Sequence, residues 1–113
     1  MSIKRIEPGA RMSGAVVHGN TVYLAGQVGD GDTVTDQAKD ALAEVDRLLA
    51  AAGTDKTKIL QTIIYLSDIA YFGEMNAVWE AWIDPANPPA RATSEAKLAA
   101  PNYKVEFIVT AAL

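Results

Sequence analysis

The sequence has no cysteine and only one histidine among its 113 residues. Without cysteine there is no disulfide framework, no thiolate metal ligand and no thiol nucleophile. A single histidine also excludes a clustered zinc site. Thiol chemistry and a clustered zinc site are therefore excluded, and we expect no metal.

Long apolar runs are also missing from the chain. No window reaches the ~20 apolar residues that a membrane-spanning helix requires, and the N-terminal stretch MSIKRIEPGARMSG has basic residues but no apolar segment of signal-peptide length. We therefore expect no membrane partner and, by default, a cytoplasmic location.

Basic residues are outnumbered, with 10 Lys and Arg against 14 Asp and Glu, a net charge of −4. This balance argues against a broad nucleic-acid surface, although it is compatible with a local basic pocket. Half of the residues are apolar, which is ordinary for a globular protein. At this length we predict one domain, residues 1–113, with one core.

Turn residues divide the chain into short β segments and two longer helical ones. SIKRIE predicts a strand that ends at Pro8–Gly9, and the dipeptide Gly19–Asn20 predicts a tight hairpin between strands near 14–18 and 21–25. After the proline-rich loop DPANPPA, alternation predicts two more strands, over 91–98 and 104–111.

Apolar spacing of three and four residues predicts both helices. The first has Thr35 as its N-cap and ends at Gly53. Its predicted buried stripe is Ala38, Leu42, Val45, Leu48, Leu49 and Ala52. The second, YFGEMNAVWEAWI, has Phe72, Met75, Trp79, Trp82 and Ile83 on one predicted buried face.

The segment KILQTIIYLS is apolar on both strand parities, which is typical of a strand covered on both faces. We predict Leu60, Ile64 and Leu66 on one side, and Ile59, Ile63 and Tyr65 on the other.

The resulting order, β-β-β-α-β-α-β-β, predicts an α+β fold: a mixed six-stranded sheet with two helices on one face. Each strand–helix–strand crossover implies right-handed parallel pairing. The uncovered face would carry Ile63 and Tyr65 together with Tyr23 or Leu24, depending on register. Because an exposed apolar sheet face of this extent usually marks an interface, we predict a homo-oligomer that closes into a ring.

Arg91 and Glu106 are the residues best suited to chemistry. Both occupy the more polar parity of their strands, so we predict that both point away from the helices and toward the subunit interface. One interpretation is structural: exposed ion pairs of Arg91 with Glu95, or of Lys97 with Glu106. The other is a site in which Arg91 holds a substrate carboxylate and Glu106 orients or deprotonates water.

Three segments in order carry a family likeness. Pro89-Ala90-Arg91-Ala92-Thr93, followed by Glu106 in KVEF, resembles the C-terminal signature of the RidA/YjgF family of reactive-intermediate deaminases. VYLAGQV resembles its strand ending in Gly-Gln, and MNAVWEAWI its asparagine-and-aromatic helix. The likeness extends from about Met12 to Ala111, and implies a homotrimer with a chorismate-mutase-like fold, a central barrel and a cleft at each subunit boundary.

The activity implied by the resemblance is a 2-iminobutanoate/2-iminopropanoate-type deaminase. It would hydrolyse enamines and imines such as 2-aminoacrylate to 2-oxo acids and ammonia, with no cofactor. By resemblance, the catalytic residues are Arg91, which binds the carboxylate, and Glu106, which positions water; the other substrate-binding positions are Asn76, Thr93, Ala25 and Gly26.

The chain also departs from the family archetype. MSGAVVHG replaces a segment with Gly-Pro-Tyr, Ala25 stands where the archetype has serine, and Thr93 where cysteine is frequent. The lost tyrosine and serine hydroxyls favour a second hypothesis, a trimer that binds 2-oxo acids or regulates without useful turnover. Ribonuclease activity is a third hypothesis, which suits an acidic chain poorly.

Overall fold

Six strands and two α-helices form the fold, which a computed structural model describes for all residues, Met1–Leu113. The helices are α1 (Val34–Ala52) and α2 (Phe72–Trp82), and neither is both long and apolar enough to cross a membrane. Short 3₁₀ turns occur at Lys56–Lys58 and Ile69–Tyr71. The strands are β1 (Ile3–Ile6), β2 (Ala15–His18), β3 (Thr21–Leu24), β4 (Ile59–Leu66), β5 (Ala90–Glu95) and β6 (Val105–Ala112).

The strands form one sheet in the order β1-β2-β3-β6-β4-β5. Only β4 and β5 pair in parallel, and all other neighbours are antiparallel. This confirms the predicted element order and mixed sheet. The first crossover differs from the prediction: β3 and β4 run in the same direction but do not pair, because β6 hydrogen-bonds to both of them.

The core lies between α1, α2 and one face of the sheet, here called the helix-covered face. Trp79 of α2 stacks on Phe107 of β6, with ring centroids 6.2 Å apart. The predicted α1 stripe is confirmed except that Ala52 is only half-buried. The fully buried sheet residues on this face include Val22, Ile64, Leu66, Val105, Phe107, Val109 and Ala111.

The opposite surface of the sheet, here called the open face, is not covered by a helix and carries several apolar side chains beside polar ones such as Glu106 and Thr110. Tyr23 lies on the open face and is 51% exposed, whereas Leu24 belongs to the core. The register places Tyr23 opposite Val16 and Thr110. Ile63, Tyr65 and Ile108, all half-buried, also lie on the open face.

Because of a β-bulge between Ile59 and Gln61, the first residues of β4 do not lie on the faces of the sheet predicted for them. Ile59 is buried beside Ala111, while Leu60 is 52% exposed. The extra residue reverses the alternation. The prediction that Leu60 shares a side with Ile64 was therefore wrong.

The N-cap of α1 is Thr33 and not Thr35. The Thr33 hydroxyl oxygen accepts a hydrogen bond from the amide of Asp36 at 3.1 Å. Thr35 instead donates its amide and its hydroxyl to the Glu74 carboxylate, each at 2.8 Å, and so joins the start of α1 to α2. The predicted end at Gly53 is confirmed by its left-handed φ of 90°.

Gln37 is a buried polar residue that ties two loops to α1. Its side-chain amide donates to the carbonyls of Gly31 at 3.0 Å and Asn102 at 2.9 Å, and accepts from the amide of Lys104 at 2.8 Å. Since buried polar groups need such partners, Gln37 fixes the loop that leads from β5 into β6.

The Glu74 contact predicts an acid-sensitive link between the helices. Hydrogen bonds from the Thr35 amide and hydroxyl hold the pKa of Glu74 below its usual value of 4.5. A carboxyl whose pKa is lowered on folding stabilises the fold above its unfolded pKa, and that contribution is lost as pH falls through the folded value. We expect Glu74→Gln to lower Tm at neutral pH, and the difference from wild type to shrink below pH 4.5. Thermal unfolding followed across pH tests this; a constant difference down to acid pH would contradict it.

Candidate active site

Arg91, half-buried on β5, is held by three residues of α2. Its Nη1 donates a hydrogen bond to the Asn76 side-chain oxygen at 2.6 Å. The guanidinium carbon lies 5.5 Å from the ring centroid of Trp79 and 5.7 Å from that of Phe72. Both are cation–π distances. The amide and the two rings together fix the direction of the guanidinium group.

Arg91 forms no ion pair within its own chain. Both salt bridges of the chain involve Arg47, which binds Glu7 and Glu44. Glu95, the structural partner considered for Arg91, instead accepts a hydrogen bond from the amide of Ile69 at 2.9 Å. A guanidinium group has five N–H donors, so most of those on Arg91 are free to bind a carboxylate.

The strand register places Arg91 and Glu106 on opposite faces of the sheet. Arg91 pairs with Thr62, which is fully buried, so its side chain lies on the helix-covered side. Glu106 pairs with Tyr65 on the open face. The prediction that both point away from the helices holds for Glu106 and was wrong for Arg91. The reason is that β5 is an edge strand, whose residues on the helix-covered side are only partly covered.

Glu106 lies directly against the main chain of Gly26. An ideal Cβ added at Gly26 would be 2.1 Å from Oε2 of Glu106. The segment is held in place by Gln27 and Phe107, which exchange backbone hydrogen bonds of 2.8 and 2.9 Å, and by the amide of Ala25, which donates to the Gly14 carbonyl at 2.9 Å. Glycine is therefore required for the carboxylate to occupy this position.

Two hydroxyl groups lie buried on the same side of the sheet as Arg91. Thr62 pairs with Arg91, and Thr93 lies two residues further along β5. Neither hydroxyl has a hydrogen-bonding partner among the protein atoms. Such groups are uncommon in folded proteins and often accompany functional sites. Thr62, Arg91 and Thr93 thus form a polar patch beneath α2.

Comparison with known proteins decides the family. A profile of the family described as Endoribonuclease L-PSP matches residues 2–113. A RutC family protein of Haemophilus influenzae is 42% identical over 114 residues, covering 98% of both chains. A crystal structure of a YjgF-family member from Neisseria meningitidis superposes with a TM-score of 0.98 at 42% identity, covering 99% of this chain and 95% of that one. The chain belongs to the RidA/YjgF family.

More distant members of the RidA/YjgF family carry an enzyme name. A human protein named 2-iminobutanoate/2-iminopropanoate deaminase is 31% identical over 103 residues, which cover 84% of this chain and 74% of that protein. The fold predicted from the resemblance is confirmed by the match to the Neisseria structure.

The RidA/YjgF site residues predicted here fall into two groups within one chain. Arg91 and Asn76 are in direct contact, with Thr93 on the same face of β5. Ala25, Gly26 and Glu106 form the other group, on the open side.

Sequence reasoning missed three residues of the Arg91 group: Phe72, Trp79 and Thr62. It assigned Phe72 to the core, but this side chain is 39% exposed and flanks the guanidinium group. The spacing of Phe72, Asn76 and Trp79, four and then three residues apart, could have shown that they share one side of α2. Thr62 lies within an apolar strand, and only the pairing of β4 with β5 shows that it neighbours Arg91.

Proposed function

We propose that this protein is a deaminase that hydrolyses 2-imino and 2-enamino acids, such as 2-aminoacrylate, to 2-oxo acids and ammonia. The observation that supports this best is the guanidinium group of Arg91, which is fixed by Asn76 and two aromatic rings and has no carboxylate partner in its own chain. Such a group is suited to a bidentate contact with the acid group of a small substrate.

The reaction needs little beyond orientation, because an imine already has an electrophilic carbon. Arg91 would fix the carboxylate, and Glu106 would accept a proton from the attacking water. Water oxygen adds to the imine carbon while the nitrogen takes a proton, which gives a carbinolamine. The carbinolamine hydroxyl then gives up its proton and the nitrogen takes one, and breakage of the carbon–nitrogen bond releases ammonia and leaves the 2-oxo acid. An enamine must first be protonated at carbon.

The positions of Arg91 and Glu106 on opposite faces of the sheet favour a site built from two chains. Arg91 and Glu106 of one chain lie on opposite faces, and neither cavity of the chain is lined by either residue. We therefore place Arg91 of one subunit opposite Glu106 of a neighbouring subunit, in a homotrimer whose open faces meet. The exposed Tyr23 and the half-buried Ile63 and Tyr65 supply the apolar surface for this contact.

The proposed homotrimer should have a defined mass in solution. A trimer of 12.0 kDa chains has a mass of 3 × 12.0 = 36.0 kDa, which sedimentation equilibrium measures directly. Ile63→Glu would place charge in the centre of the open face and should lower the mass toward that of the monomer. Ala43→Glu adds the same charge on the exposed side of α1 and should not. A monomeric wild type would contradict the composite site.

A coupled assay tests the activity. A pyridoxal-phosphate-dependent dehydratase generates 2-aminoacrylate in situ, and pyruvate formation is followed with and without the protein. We expect release faster than the uncatalysed reaction in buffer. No acceleration, combined with calorimetric binding of a 2-oxo acid, would select the non-catalytic binding trimer instead. Cleavage of RNA that depends on Arg91 would favour the ribonuclease hypothesis.

Gly26→Ala tests the role of Glu106 without changing its chemistry. The new methyl group cannot coexist with the observed carboxylate position, 2.1 Å away. Because the glutamate side chain can rotate, we expect the fold to survive and kcat/KM to fall about tenfold or more, as for Glu106→Gln. Gly9→Ala is the matched control, since its nearest contact would be an ordinary 3.5 Å. Unchanged activity in Gly26→Ala would argue against Glu106 in catalysis.

A further inference from the structure

A groove of about 270 Å³ lies between α1, α2 and the 3₁₀ turn at Lys56–Lys58. The groove is lined by the apolar residues Leu42, Val78, Ala81 and Trp82 and by two lysines, Lys39 and Lys56. Leu42 is only 1% exposed, so the accessible apolar surface comes from the other three. This groove is distinct from the Arg91 group.

The two sites use different sides of α2. At 3.6 residues per turn, Phe72, Asn76 and Trp79 project together toward Arg91, as their contacts show. Val78 and Ala81 are rotated away from that side by roughly a quarter to half a turn. A ligand in the groove would therefore not contact the guanidinium of Arg91.

The wall of the groove at Trp82 is held in a fixed orientation. The indole Nε1 of Trp82 donates a hydrogen bond to a carboxylate oxygen of Asp46 at 2.9 Å. The Lys56 ammonium lies 5.1 Å from the centroid of the Trp82 ring, within cation–π distance. An aromatic surface and a cation are thus presented together.

Neither lysine is neutralised by a salt bridge, although acidic residues outnumber basic ones in the chain. Two acids near the groove have other partners. Asp46 accepts the hydrogen bond from Trp82, and Asp55 accepts from the amide of Thr57 at 2.8 Å.

Asp84 is a third acid near Lys56. Its carboxylate accepts from the amide of Ala86 and the side chain of Asn87 at 3.0 and 2.9 Å. Those hydrogen bonds, with a smaller effect of Lys56, lower the pKa of Asp84. The groove therefore combines two cations without salt bridges with an apolar surface.

We propose that this groove binds a small carboxylate with an apolar, preferably aromatic, body. The body would pack on Val78, Ala81 and Trp82, and the carboxylate would lie near the Lys39 and Lys56 ammonium groups. Ligand sites commonly combine a mostly apolar surface with a few polar groups that fix orientation. The competing explanation is that the lysine stems merely cover apolar surface while their charges remain in water.

Phenylacetate and its uncharged analogue phenylacetamide separate these explanations. Two-dimensional ¹H–¹⁵N NMR titration of the full chain should show phenylacetate shifting the Trp82 indole N–H and the amides around Val78. Phenylacetamide should bind several-fold more weakly, and added salt should weaken phenylacetate binding. Equal binding of the two probes, or no shift at Trp82 at millimolar phenylacetate, would overturn the proposal.

Lysine variants test whether Lys39 and Lys56 supply the positive charge that binds the carboxylate. The double variant Lys39→Gln/Lys56→Gln should weaken phenylacetate binding about fivefold or more, whereas Lys58→Gln, at an exposed lysine outside the groove, should leave it unchanged. Arg91→Ala should keep the shifts at Trp82, which separates this site from the proposed active site. Unchanged binding in the double variant would also overturn the proposal.

Discussion

Arg91→Ala is expected to lower kcat/KM for 2-aminoacrylate hydrolysis at least about 100-fold. The guanidinium is the group proposed to fix the substrate carboxylate, and alanine leaves the substrate free to rotate away from the attacking water. The loss should appear in kcat as well as KM, because misorientation affects the transition state more than binding alone. Initial rates of pyruvate release at several substrate concentrations measure both.

Two further arginine variants sharpen this test. Arg91→Lys keeps the charge but loses the planar pair of donors, so it should recover only part of the activity. Arg47→Ala removes the arginine that binds Glu7 and Glu44 and should retain full activity. Thermal unfolding of each variant shows whether the fold is intact. A folded Arg91→Ala protein with wild-type rates would remove the basis of the proposed function.

Gly29→Ala is expected to destabilise the fold by about 3 kcal/mol or more. An ideal Cβ at Gly29 would lie 2.3 Å from the carbonyl oxygen of Gln37 and 2.8 Å from the amide nitrogen of Ala41. Both atoms belong to the backbone of α1, so no side-chain rotation can relieve the clash. Urea unfolding at a fixed protein concentration measures the change, since oligomerisation contributes to apparent stability.

Gly73→Ala is the matched control for this prediction. Gly73 lies on α2, and an added Cβ would have no atom within 4 Å. Alanine is the better helix former, so this variant should be as stable as wild type or more stable, by up to about 1 kcal/mol. If Gly29→Ala were as stable as Gly73→Ala, this result would contradict the close approach of the Gly29 loop to α1.

Helices and strands were predicted correctly where residues close together in the sequence determine them. The α1 stripe and its end at Gly53 follow from helical spacing and from the left-handed conformation that glycine adopts easily. The position of Tyr23 on the open face follows from alternation once the register is known.

The predictions that were wrong concerned features set by contacts between residues distant in sequence. Thr33 and Thr35 are equally good caps by residue type, and the choice is made by Glu74, which is 39 residues away from Thr35 along the chain. The face of Arg91 depends on how far α2 covers the edge strand β5, and a single sequence carries no signal for that. The same limit hid the contact between Gly26 and Glu106, because it joins segments distant in sequence.

The opposite orientations of Arg91 and Glu106 have a consequence for how the protein behaves on dilution. In the proposed arrangement, an isolated folded chain contains both Arg91 and Glu106 but cannot place them against the same substrate molecule. Catalysis would then depend on cellular abundance, because subunits that dissociate lose turnover before they lose their fold.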